Sequence, residues 1–311
     1  MNALFWTDEQ TYEILYDLEG GFMVDYSAMI ENRKSVRAFK EKSVPNSALA
    51  EIGAFYRNEC HRLVPGIRTQ LQVFGVEVRE TLEGAAGYND FLIGAPQYLV
   101  LFSEKAEYAG ENAGYIMEDI ILKLTDMGLD SCWITFADPA KVKDALKFDT
   151  DLEVAAVVAF GYGEKKSKKM RFNILSMSNV TVEARRHYYD PKVSIHDIVF
   201  MDQWGCRNGV DEHIGFYEDI LWNAFRAAAL SPSYMNRQPY GFVIQGHHII
   251  LVSTPDEFTD KINGDLNLGV VMLHFAAVAS QFSGKVGWTL GSAEDNAGLP
   301  EGYTAIASCN F

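Results

Sequence analysis

The sequence predicts an α+β fold assembled from two unequal copies of one unit, and three observations carry that prediction. First, NAGYIMEDIILKLTDMGLDSCW (112–133) aligns without a gap on NLGVVMLHFAAVASQFSGKVGW (267–288). Asn112/Asn267, Gly114/Gly269, Met117/Met272 and Trp133/Trp288 coincide at an offset of 155, and apolar residues fall at helical spacing in both segments. Second, each long helix stands between two short apolar runs that suit strands, 98–102 and 154–160 in one copy, 248–252 and 303–308 in the other. Third, the 311 residues are 48% hydrophobic, 13% aromatic and 22% charged, which supplies a sizeable core and excludes disorder, collagen and coiled coil.

Taken in order, the chain opens on MNALFWTDEQTYE, which lacks the basic and long apolar regions of a signal peptide. No apolar run approaches the roughly 18–20 residues of a membrane span, so no membrane partner is expected and a cytoplasmic location is. ENRKSVRAFKEKSVPNSALAEI (31–52) then places Arg33, Lys34, Ser35 and Arg37 within five residues, ahead of a proline turn and a helix. Guanidinium forks and a hydroxyl match phosphate oxygens in geometry, although an exposed basic helix start would show the same residues. A helix over 48–63 leads through a Pro-containing loop to the strand of VPGIRTQLQVFGVEV, and a helix over 218–230 leads likewise to SPSYMNRQPYGFVIQ. The copies divide the chain at 1–195 and 196–311. Only the first holds the RKSVR segment and the lysine-rich stretch 165–171, and only the second holds the polar loop 231–239, so a single hybrid site shared by the copies is expected.

Charge supports that placement. Twenty-seven basic against 42 acidic side chains give a net −15, which argues against a general nucleic-acid binder. Residues 201–311 hold five basic and twelve acidic side chains, so the segments 33–37 and 165–171 stand out as places for an anion. Cys60, Cys132, Cys206 and Cys309 are scattered and read as reduced thiols, while the adjacent pair His247-His248 has no companion ligands, so no metal is expected. The chain contains no GxSxG, GxGxxG or GxxxxGK[ST]. Met272, Phe275 and Phe282 read as core filling.

RKSVRAFKEKSVP resembles the opening motif of the FMN-dependent nitroreductases, an R-x-S-x-R segment followed by F and V-P. SPSYMNRQPYGFVI is similar to that family's A-P-S-x-x-N-x-Q-P-W-x-F, with Tyr240 where tryptophan is usual. MGLDSCWITFADPAKVKDAL followed by EVAAVVAFGYGEKKSKKMR resembles its G-L-x-S segment, flavin-contacting turn and G-Y-P exit. The resemblance implies a nitroreductase fold, in the tandem-duplicated, single-chain branch whose internalised dimer is compatible with a monomer. It implies FMN, with NADH or NADPH as transient donor and a small-molecule nitro or quinone-type acceptor. Arg33, Lys34, Ser35, Arg37, Lys169 and Arg171 would hold the phosphate. Trp133, Thr135 and Phe136 would lie against the isoalloxazine, with Phe136 where the family has glycine, and Pro232, Ser233, Tyr234, Asn236 and Gln238 would come from the second copy. The flavin would carry the chemistry, so no catalytic side chain is assigned. An FMN reductase or other FMN-dependent oxidoreductase with a non-nitro acceptor, or a non-catalytic flavin-binding protein, would leave the same sequence.

Overall fold

The computed structural model describes residues 5–7, 25–88, 91–164, 169–176, 179–185, 191–210, 218–291 and 297–311. The first half contains β1 (Phe5–Thr7), α1 (Tyr26–Asn32), α2 (Asn46–Asn58), β2 (Thr69–Gly75), α3 (Arg79–Leu82), β3 (Gln97–Ser103), α4 (Ala109–Asp126), β4 (Asp130–Ile134), α5 (Pro139–Leu146) and β5 (Glu153–Gly161). A two-stranded ribbon, β6 (Lys169–Ser176) and β7 (Asn179–Arg185), and the short α6 (Ile195–Ile198) follow. The second half contains β8 (Val199–Met201), α7 (Glu218–Ala229), β9 (Tyr240–Gln245), β10 (His248–Ser253), α8 (Lys261–Ser283), β11 (Thr289–Leu290) and β12 (Thr304–Asn310).

Local chemistry sets several of these boundaries. The Asp25, Asp138 and Asp260 carboxylates accept from the exposed first-turn amides of α1, α5 and α8, and Pro139 occupies the first turn of α5, where its missing N–H costs nothing. The helix expected over 48–63 stops at Asn58. There the Glu59 and Cys60 amides both return to the Phe55 carbonyl, and the His61 amide donates to Asp119 Oδ2 at 2.7 Å, a charged acceptor that competes with the next helical turn.

The fold is α+β. Strand order in the first sheet is β1-β2-β3-β5-β4 and in the second β11-β12-β10-β9-β8. Read outward from the first hairpin strand, β2-β3-β5-β4 and β9-β10-β12-β11 are the same arrangement with antiparallel neighbours throughout. Only the added edges differ, since β1 pairs antiparallel with β2 whereas β8 pairs parallel with β9. In β3 the period-2 alternation sends Leu99 and Leu101 into a core with α2 and α4, and Tyr98, Val100 and Phe102 into another with α5. In the second sheet Phe242, Ile244, Ile249 and Leu251 pack on α7 and α8, and Val243, Ile250 and Val252 form a smaller cluster on the outer face.

Between the sheets α4 crosses α8 at a glycine on each. A Cβ on Gly114 would lie 2.3 Å from the Leu266 carbonyl oxygen, and one on Gly269 would lie 1.9 Å from that of Glu111. Both helices therefore approach backbone to backbone, and the two contacts are reciprocal at the offset of 155 that aligns the sequences. Lys261–Gln281 of α8 is long and apolar enough to cross a membrane by composition, contrary to the sequence expectation, yet 83% of its apolar window is buried within the protein. A helix walled by α4, α7 and a sheet needs no polar face. Met272 and Phe275 are fully buried there, and the Phe282 side chain lies outside the described residues.

Candidate functional site

A pocket of about 710 Å³ opens where the two halves meet. The first half contributes Ser35 and Arg37 from the basic segment and Trp133, Ile134 and Thr135 from the end of β4. The second contributes Pro232, Ser233, Tyr234 and Met235 from the polar loop and Asn267 from α8.

Backbone pairing fixes the basic segment. The Arg33 amide closes α1 on the Met29 carbonyl, after which the chain lies beside β4 and the residues just past β5 through two isolated bridges, Ser35 with Ser131 and Phe39 with Gly163. The Val36 amide donates to the Ser131 carbonyl at 2.9 Å and the Lys40 amide to that of Tyr162 at 2.8 Å. The Glu164 amide donates back to Ala38 at 2.9 Å, so the exit that leads to the lysine-rich stretch lies against the segment 33–40. Arg37 faces the pocket exposed and makes no ion pair among the described residues. Burial pushes the Cys132 thiol up, and the positive charges of Arg37 and Arg33 oppose that, which registers their field at the pocket wall.

The other residues named from sequence are distributed as follows. Arg33 is 9% exposed and turned inward, its Nε 3.4 Å from Glu118 Oε1. Lys34 is exposed and outside the pocket lining. Phe136 is buried in the core with Ile134, Val157 and Ala159, on the inner side of the turn whose Trp133 and Thr135 face the pocket. Lys169 and Arg171 lie on β6, where the side chains are outside the described residues, as are residues 165–168.

The polar loop is held in an uncommon conformation. Met235, Asn236 and Gln238 have φ of 49°, 57° and 50°, a region costing on the order of 1 kcal/mol or more per side-chain-bearing residue. Hydrogen bonds over-determine it. The Gln238 amide donates to Ser233 Oγ at 2.9 Å and the Tyr234 amide to Asn267 Oδ1 at 2.9 Å. Asn236 and Gln238 point away from the pocket toward the segment joining the halves. Asn236 Nδ2 donates to the Pro191 carbonyl and its Oδ1 accepts from Lys192 Nζ, at 2.7 and 2.6 Å, while Gln238 Oε1 accepts from the Val193 amide at 3.1 Å. Gln238 Nε2 donates to the Ala229 carbonyl at 2.7 Å. These two side chains lock the loop to residues 191–193 and leave Pro232, Ser233 and Tyr234 to form the wall.

Three contributors carry no local sequence signal as site residues. Tyr88 and Phe91, 50% and 71% exposed, line the pocket, and the Gly87 amide next to Tyr88 donates to the Thr135 carbonyl at 2.7 Å. Asn267 was visible only as an identity between the copies. It plays the part that Asn112 plays in the first half, where Asn112 Oδ1 accepts from the Val64 amide at 2.9 Å. Asn267 Nδ2 is buried without a partner among the described residues, as is Asn112 Nδ2.

The family model described as "Putative TM nitroreductase" matches residues 25–195, more than half of the chain. A crystal structure from Thermotoga maritima described as a "putative nitroreductase" is similar over 97% of this chain and 99% of its own, at 16% identity and a TM-score of 0.55. A nitroreductase family protein from Clostridium novyi is 22% identical over 46% of this chain and 87% of its own, with a TM-score of 0.40. An FMN-dependent nitroreductase from Clostridium difficile is 21% identical over 45% of this chain and 88% of its own, with a TM-score of 0.39. The comparison with curated proteins finds no match.

Proposed function

We propose, from the premise that the chain belongs to the nitroreductase family, that it is an FMN-dependent oxidoreductase passing reducing equivalents from NADH or NADPH to a nitro or quinone-type acceptor. The observation that carries this reading is the shared pocket, cationic at Arg37, aromatic at Trp133 and Tyr234, and closed by elements of both halves. Its volume falls within the range of small-molecule and cofactor sites, and the exposed Arg37 guanidinium, which makes no ion pair among the described residues, is the donor that a phosphate requires. The residues present therefore fit FMN.

When bound, FMN would supply the two-electron redox chemistry. The chain supplies position. Ser35 and Arg37 hold the phosphate end through charge-assisted hydrogen bonds, each contributing on the order of 1.5–3 kcal/mol. Lys169 and Arg171 join them if β6 presents those side chains at the family's spacing. Trp133, Ile134 and Pro232 exclude water from the ring end, and the exposed pair Tyr88 and Phe91 leaves one flank open for donor and acceptor in turn. No side chain is asked to act as an acid or base.

The matching strand orders and the reciprocal glycine contacts support reading the chain as a fused dimer whose second symmetric site has lapsed; a cytoplasmic location is part of the proposal. RKSVR has no counterpart in the second half, and LVPGIRTQLQVF replaces the polar loop in the first. The test is stoichiometry: extracted flavin should reach one per chain at saturation, and the holoprotein should oxidise NADH or NADPH when a nitroaromatic or quinone is added. Two flavins per chain would remove the single-site argument. None bound to folded protein would remove the cofactor.

A further inference from the structure

The wall formed by Trp133 is backed by a buried charge cluster that packing alone does not require. Glu118 on α4 is fully buried, and its Oε2 accepts from Trp133 Nε1 at 2.9 Å. Its Oε1 lies 3.1 Å from Nε2 of His274, on α8 of the other half, and 3.4 Å from Nε of Arg33. His274 is fully buried as well, and its Nδ1 lies 3.1 Å from the Ala227 carbonyl oxygen on α7. In the matched position of the second half, Trp288 Nε1 donates at 2.9 Å to the Met272 backbone carbonyl. A carbonyl is thus enough to satisfy a buried indole. At the offset of 155 Glu118 corresponds to Leu273 and His274 to Asp119, so the cluster occurs once, and on the side that has the pocket. Burying three ionisable side chains is costly, which makes their presence behind one wall and not the other informative.

The hydrogen bonds define the charges. A carbonyl only accepts, so His274 Nδ1 carries a hydrogen toward Ala227. Burial pushes the Glu118 carboxyl up, but the Arg33 guanidinium 3.4 Å from Oε1 and the Trp133 Nε1 donor on Oε2 favour its ionised form independently of His274, so it accepts too. Both ring nitrogens of His274 then face acceptors. Arg33, Glu118 and Ala227 are the charged and polar groups that meet the ring cluster from the basic segment, α4 and α7.

We propose that His274 is a buried imidazolium which, with Arg33 and Glu118, sets one net positive charge behind the Trp133 wall and biases the pocket toward the more negative form of its ligand. The inference rests on the flavin reading, under which that form is reduced flavin. His274 and Glu118 are positioning residues: they act on the pocket through Trp133 and through the field, without lining it.

Two measurements on the full chain test this. In protein labelled with 15N-histidine, both ring nitrogens of His274 should report as protonated at pH 7, with or without flavin, and a neutral tautomer would overturn the proposal. In the holoprotein, the affinity ratio of reduced to oxidised FMN, read from the bound-flavin midpoint potential, should fall about tenfold in His274→Gln and rise about tenfold in Glu118→Gln. For a two-electron couple each tenfold change is about 30 mV, in opposite directions. Loss of packing would move both variants the same way, and that result, or no movement, refutes the charge assignment. If His274→Gln does not fold, the upward shift in Glu118→Gln decides alone. Wild-type protein that takes up no FMN would instead refute the proposed function, while the nitrogen measurement still settles the state of His274.

Discussion

Trp133 and Trp288 occupy matched places in the two halves, but they are employed differently. Trp133 lines a pocket and rests its N–H on a buried carboxylate, whereas Trp288 packs on Phe275 and rests its N–H on a backbone carbonyl. The neighbouring asparagines behave alike, each accepting the amide of a loop through Oδ1 and each leaving Nδ2 without a partner among the described residues. The contrast separates two kinds of position. One kind, Asn112 and Asn267, holds a loop in the same way in both halves even though Asn267 also lines the pocket, and the other, Trp133 and Trp288, differs in what its N–H meets.

The largest effect should come from the shared scaffold. Gly269→Ala puts a Cβ against a backbone carbonyl that cannot swing away, so stability should drop by about 3 kcal/mol or more. Gly114→Ala, its reciprocal, should cost a comparable amount. Urea midpoints of both variants check this, and a large cost at one glycine with none at the other would break the equivalence of the halves.

Glu111 gives the next largest effect, because it holds a carboxylate where the second half has Leu266. Burial, reinforced by the nearby Asp265 charge, pushes its carboxyl up to about 7 from an ordinary 4.5. The folded state therefore keeps a proton that the unfolded chain releases, and stability present below pH 4.5 is lost as pH rises toward 7. Glu111→Gln mimics the neutral form. It should leave stability at pH 4 unchanged and raise it above pH 7 by on the order of 2–3 kcal/mol. Thermal melts at pH 5 and pH 8 sharpen the comparison, and equal melting shifts at both would show that Glu111 titrates as an exposed carboxylate does.

The third effect distinguishes two arginines of one motif. Arg37→Ala should weaken FMN roughly tenfold to a hundredfold while riboflavin binding changes little, the loss of one charge-assisted contact. Arg33→Ala removes the guanidinium beside the buried Glu118 carboxylate, leaving it only the Trp133 and His274 contacts, and should lower stability more than it lowers the preference for FMN. Titrations with both ligands decide this, and equal preference for FMN and riboflavin in wild type would move the phosphate elsewhere.

The strands at 98–102, 154–160, 248–252 and 303–308 and the long helices were legible because they are local patterns written twice. Ser35, Arg37, Trp133, Thr135, Pro232, Ser233 and Tyr234 were named from motifs and share one pocket. Arg33 was named with them, but its direction depends on Glu118, which only tertiary packing brings near. Asn236 and Gln238 turn toward residues 191–193 because positive φ at both rotates their side chains off the pocket face, and no residue-type pattern encodes that rotation. Phe136 could have been placed inward from alternation with Thr135, which lines the pocket while Phe136 does not. Tyr88 and Phe91 reach the rim beside Gly87, which exchanges hydrogen bonds with Thr135, and pair with each other through their backbones.

The close crossing of α4 and α8 also bears on biosynthesis. The strands of the first sheet and α4 all leave the ribosome before residue 161, but the helix that covers α4 is encoded about 155 positions after it. At 5–20 residues per second that is a wait of about 8–30 s, during which the apolar groove beside Gly114 has no partner within the chain. A nascent first half should therefore be a chaperone client until α8 emerges, and the strongly apolar α8 must find that groove before it finds another surface.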